Sequence, residues 1–186
     1  MHNKQTELKS LSCDELMCMT VQHQQEAFSE LLTRNERWAR TFAARVIGDF
    51  HMSEDIVQEA FLRIWNKSSG WTPKTSFRAW FTTILVRLCI DYKRKKRQIS
   101  VEKFHDHSIS APNAFEKMII REKHDIVAHL IMQLNTRQRL AILLVYAEGH
   151  KTMAAARIMN MHLKAFESLL LRSRRQLNQW YKDYNM

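Results

Sequence analysis

The stretch that decides the fold is Thr152–Leu171, TMAAARIMNMHLKAFESLLL. Two helices meeting at a sharp angle need a small residue in the first, so that the second can approach. About four positions later they need a turn residue that tolerates positive φ. Ala156 is the small residue, and Asn160, the best non-glycine at that conformation, is the turn. Ala155, Met159, Met161, Phe166 and Leu169 occupy the positions that lock the angle, which predicts a helix-turn-helix. On its other face the second helix carries His162, Lys164, Glu167, Ser168, Leu171, Arg172 and Arg175. A basic helical face of this kind reaches base edges and phosphates in a major groove. An ordinary helical hairpin accounts for the apolar pattern equally well; the basic face favours DNA.

Composition agrees with helices throughout. A chain of 186 residues holds 3 Gly and 2 Pro, against roughly 13 and 9 at average usage. Turn-rich sandwiches, barrels and phosphate-cradling α/β folds are therefore excluded. The three glycines, Gly48, Gly70 and Gly149, each separate apolar-periodic stretches. The first stretch opens with a capping box at Ser12 and Glu15 and carries Leu16, Met19, Phe28, Leu31 and Leu32. A second helix is expected over Asn35–Ile47. Ser53 is the next expected cap, with Glu54 and Asp55 in its first turn and Ile56, Val57, Ala60, Phe61, Ile64 and Trp65 as the apolar stripe. After the loop Ser68–Pro73, the residues Phe77, Trp80, Phe81, Ile84, Leu85 and Leu88 trace a further stripe, which runs into Lys93–Arg97. Periodicity is lost over 98–113, read as a linker, and restarts through Phe115, Ile119, Ile126, Val127, Leu130 and Ile131. Asn135 with Gln138 forms a second capping box. The expectation is an all-α chain of two small helical domains, 1–97 and 114–186, joined by the flexible linker 98–113.

Charge is concentrated rather than spread. The net +10 divides into −2 over 1–70, +7 over 71–98, −1 over 99–133 and +6 over 134–186. Two separated cationic islands suit a chain that touches an extended polyanion twice. Cys13, Cys18 and Cys89 are too few for a disulfide framework, and the opening residues lack a signal-peptide pattern, so a cytoplasmic protein is expected. His105 and His107 fall in the linker, and His124 and His129 are five apart, off the spacing that puts two ligands on one helix face; no metal is expected. Phosphate-binding, metalloprotease, hydrolase and dinucleotide motifs are missing, so neither catalysis nor a cofactor is expected.

With these pieces in place, the chain resembles the extracytoplasmic-function group of bacterial sigma factors, in the sigma-70 family. Ser53–Trp65, SEDIVQEAFLRIW, is similar to the region 2 string "xEDxVQExFLRxW". Ser76–Phe81, SFRAWF, resembles the "FRxWL" opening of the helix that reads the −10 element. Leu134–Leu144, LNTRQRLAILL, resembles the start of region 4, and Arg172–Leu177, RSRRQL, its "RARRxL" ending. The resemblance implies docking on the β′ clamp helices of core RNA polymerase through Glu54, Asp55, Gln58, Glu59 and Arg63, and a β-flap contact. It also implies −10 contacts from Trp71, Lys74, Arg78, Arg87, Lys93, Arg94, Lys96 and Arg97. Contacts with −35 DNA are implied for His162, Lys164, Glu167, Ser168, Leu171, Arg172 and Arg175, together with an anti-sigma partner. Arg87 stands where many members have Asn, and Glu167 and Leu169 where the string "TVKSRL" has Lys and Arg; Glu167 accepts from cytosine but repels phosphate, so it shifts base preference. The alternative is a helix-turn-helix regulator that acts without core polymerase; a third is a module whose basic helices bind an acidic protein.

Overall fold

The computed structural model describes residues 7–102 and 123–184, and among these every regular element is helical. The helices are α1 (Cys13–Val21), α2 (Gln25–Ile47), α3 (Phe50–Asn66), α4 (Phe77–Glu102), α5 (Lys123–Gln133), α6 (Thr136–Ile142), α7 (Thr152–Ile158) and α8 (Leu163–Tyr184). A 3₁₀ turn at Ser68–Gly70 follows α3, and α6 runs on into a π turn at Leu143–Ala147. Two compact units result: one is drawn from residues up to Ala44 and from Asp49–Leu88, the other from Arg45–Gly48 and from Cys89 onward. Of the expected linker, 98–102 continues α4 as helix; the rest, with His105, His107, Phe115 and Ile119, lies outside the described residues.

In the first unit, the Ser12–Glu15 capping box forms in both directions. The Glu15 N–H donates to Ser12 Oγ at 3.2 Å, and the Ser12 N–H donates to Glu15 Oε2 at 2.7 Å. The backbone bond from Ser12, seconded by its hydroxyl, holds the Glu15 carboxyl below its ordinary range. The helix break falls at His23 (φ 60°), not near Asn35, so α2 is continuous from Gln25. No glycine marks this turn, because His23 itself adopts the left-handed conformation. Asn35 is buried inside α2 and donates to Leu31 O at 2.8 Å, so it caps nothing. The start of α3 is also displaced from expectation. Asp49 is the cap, accepting the Met52 N–H at 3.2 Å, while Ser53 is buried and donates to Phe50 O at 2.5 Å. Glu54 and Asp55 therefore sit a turn deeper in α3 than the spacing predicts.

The core of this unit is aromatic. Phe81 lies 5.0 Å from Phe61, 5.4 Å from Phe77 and 5.5 Å from Trp38, ring centre to ring centre. Such pairs contribute about 0.5–1.5 kcal/mol each beyond their buried area. Of the stripe read over α4, Phe77, Phe81, Leu85 and Leu88 are buried as expected, while Trp80 and Ile84 at its edge are half-buried; Cys89 follows the buried residues inward. Burial pushes the Cys89 thiol up to about 12, with Lys93 pulling the other way.

In the second unit, Leu130, Leu134, Leu140, Leu144, Ile158 and Phe166 form the core. The Asn135–Gln138 capping box forms as expected, and Gln138 Nε2 donates to Gln176 Oε1 at 2.9 Å, tying α6 to α8. Arg139 is 7% exposed. Its guanidinium donates to the carbonyls of Ile131, Met132 and Leu134 at the end of α5, and to that of Val46 near the end of α2. Burial lowers its pKa, yet an arginine so satisfied stays protonated. One of the nine basic side chains of 134–186 is thus structural and adds nothing to a cationic surface.

Candidate nucleic-acid and protein interfaces

Two neighbouring strips of exposed and half-buried residues run along α3. Glu54, Gln58 and Leu62 follow at i, i+4 and i+8 and line an open groove of about 790 Å³ with Phe28, Leu32 and Arg40 of α2. Asp55, Glu59 and Arg63 lie on the adjacent strip, outside the groove, where Arg63 Nε pairs with Glu59 Oε1 at 2.7 Å. The five expected protein-contact residues are therefore not one cluster. Leu62, 58% exposed at the groove, was missed by reading the apolar pattern for its core positions alone. Arg40 closes one end of the groove: it pairs with Glu54 and lies 4.8 Å from the centre of the Phe50 ring. A groove with apolar walls, an ion pair at its rim and an exposed leucine at its lip fits an amphipathic helix.

The segment from Ser68 to Arg97 carries the first cationic island. Thr72–Ser76 is exposed and turns on a bond from the Thr75 N–H to Thr72 O at 3.1 Å. Lys74 stands on this turn, and Arg87 and Arg94–Arg97 are exposed along α4. Arg94 pairs with Asp91 at 3.1 Å, and Lys93 is half-buried. Two expected contacts are placed differently from the others. The Arg78 guanidinium lies 3.1 Å from the centre of the Trp38 ring, a stacked cation–π contact that fixes it against α2. Trp71 is 5% exposed, and its Nε1–H meets no acceptor among the described residues. Its ring anchors the loop in the core and is not a surface platform for bases.

The second island is built on the helix-turn-helix. Asn160 has φ 51°, Ala155, Ala156, Met159 and Phe166 are buried, and Met161 and Leu169 are half-buried, so the turn forms as its residues predict. All seven expected contacts on and before α8, His162, Lys164, Glu167, Ser168, Leu171, Arg172 and Arg175, are exposed. From Lys164 to Arg175 they follow steps of three and four residues and so share one face. Arg172 Nε donates to Ser168 O at 3.3 Å, which lays it along the helix. Among the described residues, no three His, Cys, Asp or Glu side chains gather as a metal-binding group, and no helix is long and apolar enough to cross a membrane.

Residues 31–99 match the family described as Sigma-70 region 2, and residues 124–177 match Sigma-70, region 4. The chain belongs to the sigma-70 family. It is an RNA polymerase sigma factor of the extracytoplasmic-function group. SigK of Mycobacterium sp. (strain KMS), an ECF RNA polymerase sigma factor, is 26% identical over 141 residues, which are 73% of each chain. SigW of Bacillus subtilis (strain 168) is 21% identical over 173 residues, 86% of this chain and 91% of SigW. RfaY of Xanthomonas campestris, a probable RNA polymerase sigma factor, is 26% identical over 156 residues, which span 81% of this chain but 39% of RfaY. Among solved structures, RpoE of Bartonella quintana, determined with the anti-sigma factor NepR, shares the fold at a TM-score of 0.66 and 24% identity, covering 83% of this chain and 96% of RpoE. CnrH, determined with the cytosolic domain of CnrY, matches at the same TM-score and identity, covering 91% and 97%. The region 2 match contains α3 and the loop-to-α4 segment, and the region 4 match contains every candidate of the helix-turn-helix.

Proposed function

We propose that this sigma factor docks on core RNA polymerase through the α2–α3 groove and the α3 strips, with Glu54, Gln58 and Leu62 central and Asp55, Glu59 and Arg63 at the margin. Loop Thr72–Ser76 and α4 take the −10 element, where Lys74, Arg87 and Arg94–Arg97 follow the backbone of the opened strand. The exposed face of α8 takes the −35 element in the major groove, with Glu167 selecting base edges and Lys164, Arg172 and Arg175 supplying cations. The polymerase carries out the chemistry, while this chain supplies recognition. The β flap, an anti-sigma protein that covers the DNA-binding faces, and a cytoplasmic site of action complete the reading.

The observation that carries it is the simultaneous exposure of all seven candidates on and just before α8, behind a turn locked by Asn160. Electrophoretic shift with a fluorescent promoter pool tests it. Recognition is expected only when core polymerase is present, with Arg172→Ala and Arg175→Ala lowering affinity through −35 contacts. Tight binding of promoter duplex without core, and no transcript with it, would instead identify a stand-alone regulator.

A further inference from the structure

Helix α1 precedes the part of the chain matched by region 2, yet it reaches the promoter loop. Asp14 Oδ1 accepts the N–H of Phe77 at 2.6 Å, across 63 positions of sequence. Phe77 is the first residue of α4, where N–H groups have no partner within the helix. Ser76 Oγ accepts a further donor of this first turn, the Ala79 N–H, at 3.3 Å. Helix α1 also packs on the 3₁₀ turn Ser68–Gly70, next to buried Trp71. The exposed turn Thr72–Ser76 is therefore held at both ends, by Trp71 in the core and by Asp14 at the start of α4.

We propose that Asp14 is a positioning residue for promoter readout: its carboxylate fixes where α4 begins, and with it the register of Lys74 and Arg87 on DNA. This rests on the reading that loop Thr72–Ser76 and α4 take the −10 element. A carboxylate at this place also meets the positive end of the α4 dipole, which strengthens the bond. Without it the loop keeps its anchor at Trp71 but loses the one at Phe77, so the turn samples several registers.

The test uses full-length protein, core polymerase and a promoter pool randomised at −10 and, separately, at −35. Asp14→Ala is expected to lower run-off transcription from the preferred −10 sequence roughly tenfold, the scale of one charge-assisted hydrogen bond. It broadens −10 preference while leaving −35 preference and core affinity unchanged. Asp14→Asn, which keeps an acceptor oxygen, restores most of the preference. Asp14→Ser keeps a polar first turn in α1 but falls short of Phe77, and it should behave like the alanine variant. Ser12→Ala removes the α1 cap without touching the loop and should leave −10 preference intact. Unchanged preference in both the alanine and serine variants, or equal broadening in Ser12→Ala, overturns the proposal. If Lys74→Ala and Arg87→Ala also leave holoenzyme affinity for −10 DNA unchanged, the underlying reading of the loop fails as well; if they weaken it, only the role of Asp14 does.

Discussion

Replacing Leu62 by alanine separates docking from folding more cleanly than any other change in this chain. The side chain is 58% exposed, so its loss costs the free protein little. If polymerase covers it, Leu62→Ala removes three carbons from the new interface, worth about 2.4 kcal/mol when fully buried at ~0.8 kcal/mol each. Scaled by the 58% that only the partner can cover, the expected loss is about 1.4 kcal/mol, or tenfold in Kd. Fluorescence anisotropy of labelled protein titrated with core polymerase gives the Kd, and a thermal melt shows whether the free protein is unchanged. Leu62→Asp places a charge against the apolar walls and should weaken binding further. A Kd within twofold of wild type for both variants would show that the groove lip is not covered, and the docking surface would have to be sought elsewhere on the unit.

Three further outcomes follow from the structure. Charge reversal at Arg94 and Arg97, both exposed on α4, should weaken holoenzyme binding to promoter DNA and flatten its salt dependence by about one unit of slope per lost phosphate contact, with core affinity intact; equal loss of both affinities would show that the two surfaces are one. Asn160→Val should destabilise the helix-turn-helix by about 1–2 kcal/mol in chemical denaturation, because a β-branched residue resists φ 51°, while Asn160→Gly stays within a few tenths. Alkylation of native protein should modify exposed Cys18 first and Cys89 only on unfolding. Because the folded Cys89 thiol titrates at about 12 against 9.0 for the ordinary group, the unfolded chain loses its proton first, so stability should fall as pH rises above 9 and Cys89→Ala should remove that slope.

Much of this architecture is written locally. The α4 stripe, both capping boxes and the Asn160 turn depend on residues within a few positions of one another, and periodicity or a single φ preference suffices to read them. The exposed face of α8 was legible for the same reason, since the core side of a helix fixes its opposite side. What escaped is set by distance. His23 ends α1 without a glycine, its ring 5.9 Å from Trp65 of α3, and Asn35, read as the start of a helix, is drawn into the interior of α2. Ser53 lost the cap of α3 to Asp49 because the helix begins four residues earlier, which a serine followed by two acids conceals. Trp71 looked like an exposed loop aromatic and is an anchor; Arg139 looked like part of a cationic surface and closes the end of α5. The bond from Phe77 to Asp14 joins residues that no local pattern connects.

The central claim is that this chain gives promoter specificity to a polymerase it binds. Run-off transcription with purified core polymerase on a genomic fragment library measures that directly. Adding the protein should produce discrete start sites that share two spaced upstream elements, and Leu62→Asp or Arg172→Ala should suppress them. A protein that shifts promoter duplex alone, while core polymerase yields the same transcripts with and without it, would contradict the account.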